Sequence, residues 1–395
     1  SWSRYTLARN TGDSIALMPP GTAPVVAPAG TRLNQPKYWG GVLPIVPRTP
    51  QPIPAGTSAT ERTFALHPML APLMPLWNQG RLAVLANVGA LMQPTTREQF
   101  ERKLVPIPPA LASHNDQQTF WQTGAIDDGT GWGGRLGDIL ANQNGANPIF
   151  TALSVSGNAT FVSGRQVSQY QVNTDGAPGI VINGTSGSLF GAKDGGAAYA
   201  DIIRTTSSTS NLANDVGDMV RRSMAAAGTL NSKFTSSTVQ GVLQPPPFNE
   251  PIQGLADRNP WSPQLHTIAQ MVAIGMALGL KRQVFFAAVN AFDTHDGQNP
   301  REATNLAALS QAMVYFDNAL ANIGGVDMRP NVTTFTASDF SRTFTSNGAG
   351  TDHAWGGHHL IMGGAVRGGD MYGQYPTIGI DRSGFQNPNF AGENM

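Results

Sequence analysis

Apolar residues along this chain fall into a few compact blocks separated by long stretches rich in glycine, proline and small polar residues. Residues 82–91 (LAVLANVGAL) are an unbroken apolar run ending near Pro94, the pattern of a strand buried on both faces of a parallel sheet. Residues 70–77 read as a short apolar helix ahead of it. Residues 131–140 read as a loop entering a helix, 148–155 as another strand, and 211–233 have helical spacing. Residues 263–280 form a strong helix, with Ser262 as N-cap, Pro263 in the first turn, and Leu265, Ile268, Met271, Val272 and Met276 on the apolar face. Residues 283–292 (QVFFAAVNAF) are a second core strand, 306–323 a second strong helix, 332–337 (VTTFTA) a third strand and 360–366 a fourth.

The last 130 residues or so thus alternate helix, strand and loop, which predicts an α/β domain with a parallel sheet. One domain is expected over residues 63–395, with a loop-rich Gly/Ser/Thr insertion at about 157–250. Residues 1–62 read as an irregular surface excursion without core elements, and 92–124 as a long loop. Gln244-Pro245-Pro246-Pro247 is a rigid connector.

Composition narrows the classes. Only 13% of residues are charged, against about a quarter in ordinary domains, so Asn, Gln, Ser, Thr and Gly must keep the surface wet. Net charge is zero with no basic stripe, which argues against nucleic acid. No apolar run approaches the ~20 residues of a membrane span. The absence of cysteine excludes disulfides, zinc–thiolate sites and cysteine nucleophiles. A cysteine-free, low-charge surface suits an exported protein of the periplasm or extracellular space. No signal peptide is visible, and the opening Ser1-Trp2-Ser3 without methionine suggests an upstream piece.

The histidines carry the chemistry. Five of seven lie in polar clusters with an acid: Ser113-His114-Asn115-Asp116, Asp293-Thr294-His295-Asp296, and Asp352-His353 followed by His358-His359. Carboxylate and imidazole together suit a divalent metal. In extended backbone Asp293 and His295 point to one face; the bland alternative is a solvated turn. Asp352-His353 sits among Gly348, Gly350, Gly356 and Gly357, and the alternative there is a surface loop. Ser113 is the candidate nucleophile. Arg342, after Asp339, could grip a tetrahedral oxyanion, or simply pair at the surface. His114, Asp116 and Asp339 are further site candidates. His67 and His266 read as structural.

The succession LHPML-PLW-GRLAVL-NVG, SHxDxQ-FW-TG, FDTH-Q and SDFSRT-NG-GTDHAWGGHH-MGGAV-GG resembles a secreted bacterial family, domain of unknown function 1501, over roughly residues 60–375. The family is assigned to the alkaline phosphatase and sulfatase superfamily. The resemblance implies a doubly wound, mostly parallel α/β fold with helices on both faces and Asp/His metal ligands at strand ends. It matches Asp352-His353 to the superfamily's adjacent metal-binding pair, Asp293, His295 and His358 or His359 to the remaining ligands, and Ser113 to the nucleophile. The superfamily's first strand ends in a metal-binding Asp within a Gly-Gly-Xaa-Asp-like stretch; nothing before residue 60 matches it. The expected function is hydrolysis of a phosphate or sulfate ester, small or polymeric, with one or two zinc, manganese or calcium ions. The alternative, favoured by the missing Asp, is a degenerate member serving as an extracellular binding or assembly protein, with a protein partner or further copies of itself.

Overall fold

A computed structural model describes residues 20–23, 40–53, 62–124, 129–174, 188–189, 192–193, 198, 201–202, 208–249, 256–375, 377–378 and 390–391. The elements that position the site are, in chain order, β1 (Leu43–Ile45), β2 (Phe64–Leu66), α1 (Met74–Asn78), β3 (Leu82–Gly89), α2 (Arg97–Glu101), α3 (His114–Thr123), α4 (Trp132–Leu140), β4 (Ala152–Ser154), β5 (Tyr170–Gln171), α5 (Asn211–Phe234), α6 (Ser262–Leu278), β6 (Val284–Phe286), α7 (Gln298–Leu320), β7 (Thr334–Phe335), β8 (Ser341–Ser346), β9 (Thr351–Ala354), β10 (Gly356–Met362) and β11 (Met371–Tyr372).

The class is α/β, as the alternation predicts, but the strands do not join into a single parallel sheet among the described residues. A four-stranded sheet runs β7-β10-β3-β11, with β10 antiparallel to both β7 and β3 and β11 parallel to β3. A separate three-stranded parallel sheet runs β6-β4-β5. The apolar run 82–91 therefore signals a central, doubly covered strand of mixed pairing, antiparallel to β10 and parallel to β11: Leu82, Ala83 and Val84 are buried whichever way the neighbour runs.

Both sheets feed one core. Leu82 and Val84 from β3, Leu153 from β4, Ala226, Leu230 and Phe234 from α5, and Met271 and Ile274 from α6 belong to the same buried cluster. Phe161 joins the sheets at their edge, touching Phe286 of β6 and Phe335 of β7. Helix α6 is buried almost all round from Thr267 to Gly275, which explains why it is apolar well beyond one stripe. The region 1–62 is not free of core elements: β1 pairs antiparallel with β2, and Ile45 and Phe64 are buried. The expected loop 92–124 holds α2 and α3. The long strand expected over 283–292 has ladder pairs only at Val284–Phe286, and 363–366 is a turn rather than a strand. Of the 157–250 insertion, residues 175–187, 190–191, 194–197, 199–200, 203–207 and 250 lie outside the described residues, and its described part includes the long helix α5. No helix among the described residues is long and apolar enough to cross a membrane.

Candidate metal centre

Three separate pieces of chain converge here. The first is the extended segment after β6, which delivers Asp293 and His295. It is tied down by Asn305 Nδ2 donating to Ala291 O at 2.7 Å and by an Arg342 amino group donating to Phe292 O at 2.7 Å. The second is the β8–β9 hairpin, in which Arg342 faces His353 across the ladder. Asp352-His353 thus stands on a strand, not in a glycine-rich loop. Gly350, at the hairpin tip, lies so close to the Thr294–His295 backbone that a Cβ there would sit 2.4 Å from Thr294 O. Asn347 fastens the same contact, its Nδ2 donating to His295 O (3.2 Å) and Asp352 Oδ1 (3.4 Å). The third piece is the N-terminus of α3, which carries Ser113 as N-cap and His114 in the first turn.

Asp293 is the hub. Its Oδ1 lies 2.9 Å from Arg342 NH2, 2.9 Å from His353 Nε2 and 3.0 Å from His295 Nε2; its Oδ2 lies 3.2 Å from His114 Nε2. Each imidazole is held from behind through Nδ1. That of His353 meets Ala112 O at 2.8 Å, that of His295 meets Asp352 Oδ1 at 3.3 Å, and that of His114 meets Asp339 Oδ2 at 3.4 Å. Carbonyl and carboxylate oxygens only accept, so each Nδ1 is placed to donate to the oxygen behind it, while each Nε2 faces the Asp293 carboxylate. His295 Nε2 and His353 Nε2 are also 3.0 Å apart. His114, Asp293 and His353 bring one ligand atom each within 4.8 Å of one another. The donor set, imidazole nitrogens with a carboxylate and an oxygen partner behind each ring, is one that could hold a metal ion.

Burial works to raise the Asp293 carboxyl, but contacts with His353 and Arg342, and the charges of His295 and Arg342, outweigh it and hold the group well below the usual carboxylate range. The cluster opens to solvent on one side: the side chains of His114 and Asp293 are 44% and 43% exposed, that of His353 only 9%. His353 is clamped by stacking on Phe340, with ring centroids 3.9 Å apart. Ala112, whose carbonyl orients His353, has φ +77°, a left-handed conformation costly for a residue with a Cβ and characteristic of functional sites.

Other expected site residues have different surroundings. Arg342 donates to Thr351 O, Phe292 O and Asp293, so it braces the hub and the hairpin rather than offering a free fork to an oxyanion. Ser113 Oγ donates to Asp116 Oδ2 at 2.6 Å, one residue from His114. Asp339 and Asp352 stand behind histidines. His358 and His359 share no hydrogen bond or ring contact with the cluster among the described residues. Both are on β10, where His359 registers with Leu85 of β3 and His358 falls at the irregularity before it: His358 Nδ1 accepts from Asn87 N and its ring stacks on Tyr375, while His359 is buried against Trp121. His67 caps the turn after β2, accepting from Met69 N, and His266 bonds Tyr315; neither joins the cluster among the described residues.

Some contributors carried no readable signal. His114 moves from a secondary candidate to a central one because α3 aims it at Asp293. Gln118, donating to Asp339 Oδ2 at 3.1 Å, and Asn347 are polar residues of ordinary appearance in the sequence.

No curated protein matches the chain, and no solved structure does. A family model does, over residues 16–393, nearly the whole length. The motifs that converge on Asp293 all fall inside that match, and the chain belongs to the family described as protein of unknown function, DUF1501.

Proposed function

We propose that this protein is a metal-dependent hydrolase of phosphate or sulfate esters, and that Asp293, His114, His295 and His353 hold its cation. The observation that carries this reading is the triple convergence: three imidazoles, each with Nδ1 bonded to an oxygen behind it, turn Nε2 toward one ionised carboxylate. Nitrogen donors in this number favour zinc or manganese over calcium, which prefers oxygen. A divalent cation bound there supplies Lewis acidity that offsets charge developing on an ester's non-bridging oxygens.

The chain's own groups provide the rest. Ser113 stands beside His114 with its hydroxyl hydrogen-bonded to Asp116, which can take the proton as Oγ attacks phosphorus or sulfur. The ester oxygen leaves as the alcohol once protonated, and water then cleaves the seryl ester to release phosphate or sulfate. Arg342 keeps Asp293 ionised and in place. The superfamily resemblance, with the doubly wound fold and the exported location that it implies, belongs to the same proposal.

The test is elemental analysis of the purified protein together with turnover of aryl phosphates and aryl sulfates. Bound zinc or manganese, with turnover abolished in Asp293→Asn, is the expected result. A metal-free protein without turnover, unchanged by added zinc, manganese or calcium, would overturn it.

A further inference from the structure

Helix α5 presents one heptad-spaced face with two fates. Leu212, Val216, Met219, Ser223, Ala226 and Leu230 recur at spacings of four and three, so they line one side of the helix. The lower half of that stripe is core: Ala226 and Leu230 are buried, as is Phe234 a turn beyond. The upper half is not. Leu212, Val216 and Met219 are 74%, 48% and 56% exposed, and no residue of α5 before Ala226 is buried. A helical stretch of some 15 residues without burial is marginal in water, and a seam of this spacing is what a second helix packs into.

The charges beside the seam state which second helix. With Val216 at an a position and Leu212 and Met219 at d, Asp215 and Arg222 occupy successive g positions, and Ala213 and Val220 occupy the e positions. In an antiparallel pair, g residues meet g residues. The register that layers Val216 on Met219 of a second copy also places Asp215 of each copy against Arg222 of the other, twice by symmetry. It brings Ala213 against Val220 on the opposite flank. Both Asp215 and Arg222 lack an ion-pair partner among the described residues, whereas the neighbouring Asp218 and Arg221 already pair within the helix. A parallel pair would not unite these charges.

We propose that α5 is a self-association surface, and that two copies of this chain pair antiparallel through Leu212, Val216 and Met219. The surface is a single short seam, so the dimer is a weak one that forms at micromolar or higher concentration.

The experiment is sedimentation equilibrium of the full chain over a concentration series, with circular dichroism confirming that each variant is folded. The wild type should dimerise reversibly. Val216→Glu, which keeps helix propensity, should weaken the dimer at least tenfold. Asp215→Arg and Arg222→Asp should each do the same, and the double charge swap Asp215→Arg/Arg222→Asp should restore it. A wild type monomeric at every concentration, a dimer indifferent to Val216→Glu, or single reversals as strong as wild type would each overturn the proposal. Failure of the double swap to restore association would overturn the antiparallel register.

Discussion

His359 gives the sharpest test of how burial governs this protein's response to acid. It lies on β10 at 5% exposure, packed edge-on against Trp121, and its Nε2 is buried without a hydrogen-bond partner among the described residues. Burial, helped by the neighbouring His358, pushes its pKa down from 6.5 to about 4. Between those two values the unfolded chain takes up a proton that the folded chain refuses, so stability falls as pH drops through this window and is unaffected well above 6.5. The full separation corresponds to about 3 kcal/mol, and going from pH 7 to pH 5 already costs about 2 kcal/mol. His67 and His358 are displaced the same way, each to about 4, so the wild-type slope contains more than one residue. The difference between wild type and His359→Leu isolates this one. The assay is urea unfolding at pH 7 and pH 5 in a chelator, which keeps cation binding out of the comparison. His359→Leu should lose about 2 kcal/mol less than wild type on acidification. Equal losses in the two proteins, or a His359 titration near 6.5 in the folded state by NMR, would refute the reasoning.

Three further outcomes are expected. His353→Ala should lose bound cation and melt earlier, since cation binding contributes folding free energy, while His266→Ala, bonded to Tyr315 and outside the cluster, should keep its cation by elemental analysis. Asp352→Ala removes the acceptor behind His295 Nδ1 and should weaken cation affinity about 10–100-fold, the usual effect of losing such a partner, as measured by competition with a chelating dye. Ala112→Gly relieves the left-handed backbone at φ +77° and should stabilise by about 1 kcal/mol, seen as a higher melting temperature; a lower one would show that the strain is not there.

Local pattern determined a good deal. Helix α6 was legible because Pro263 and the apolar spacing are local signals, and its bounds differ by only a residue or two, with Trp261 rather than Ser262 as N-cap. The run 82–91 announced a buried strand because doubly covered strands need no polar face. The family motifs marked Asp293, His295 and Asp352-His353, since the cluster depends on residue types that stand out in a chain with so little charge. Pairing direction was not legible: an apolar strand looks alike beside a parallel or an antiparallel neighbour, and only the return of β10 along β3 decides it. The roles within the site were equally hidden. One-residue steps along β10 send His358 to Asn87 and His359 to Trp121, whereas the same kind of step along β9 puts His353 on Asp293 and leaves Asp352 behind His295. His114 becomes central, and Arg342 becomes a brace, through contacts spanning 179 and 49 positions of chain. Sequence fixes which groups are available, because side-chain chemistry is local. Which lone pairs face one another depends on register and on the approach of distant segments, and those exist only once the chain has folded.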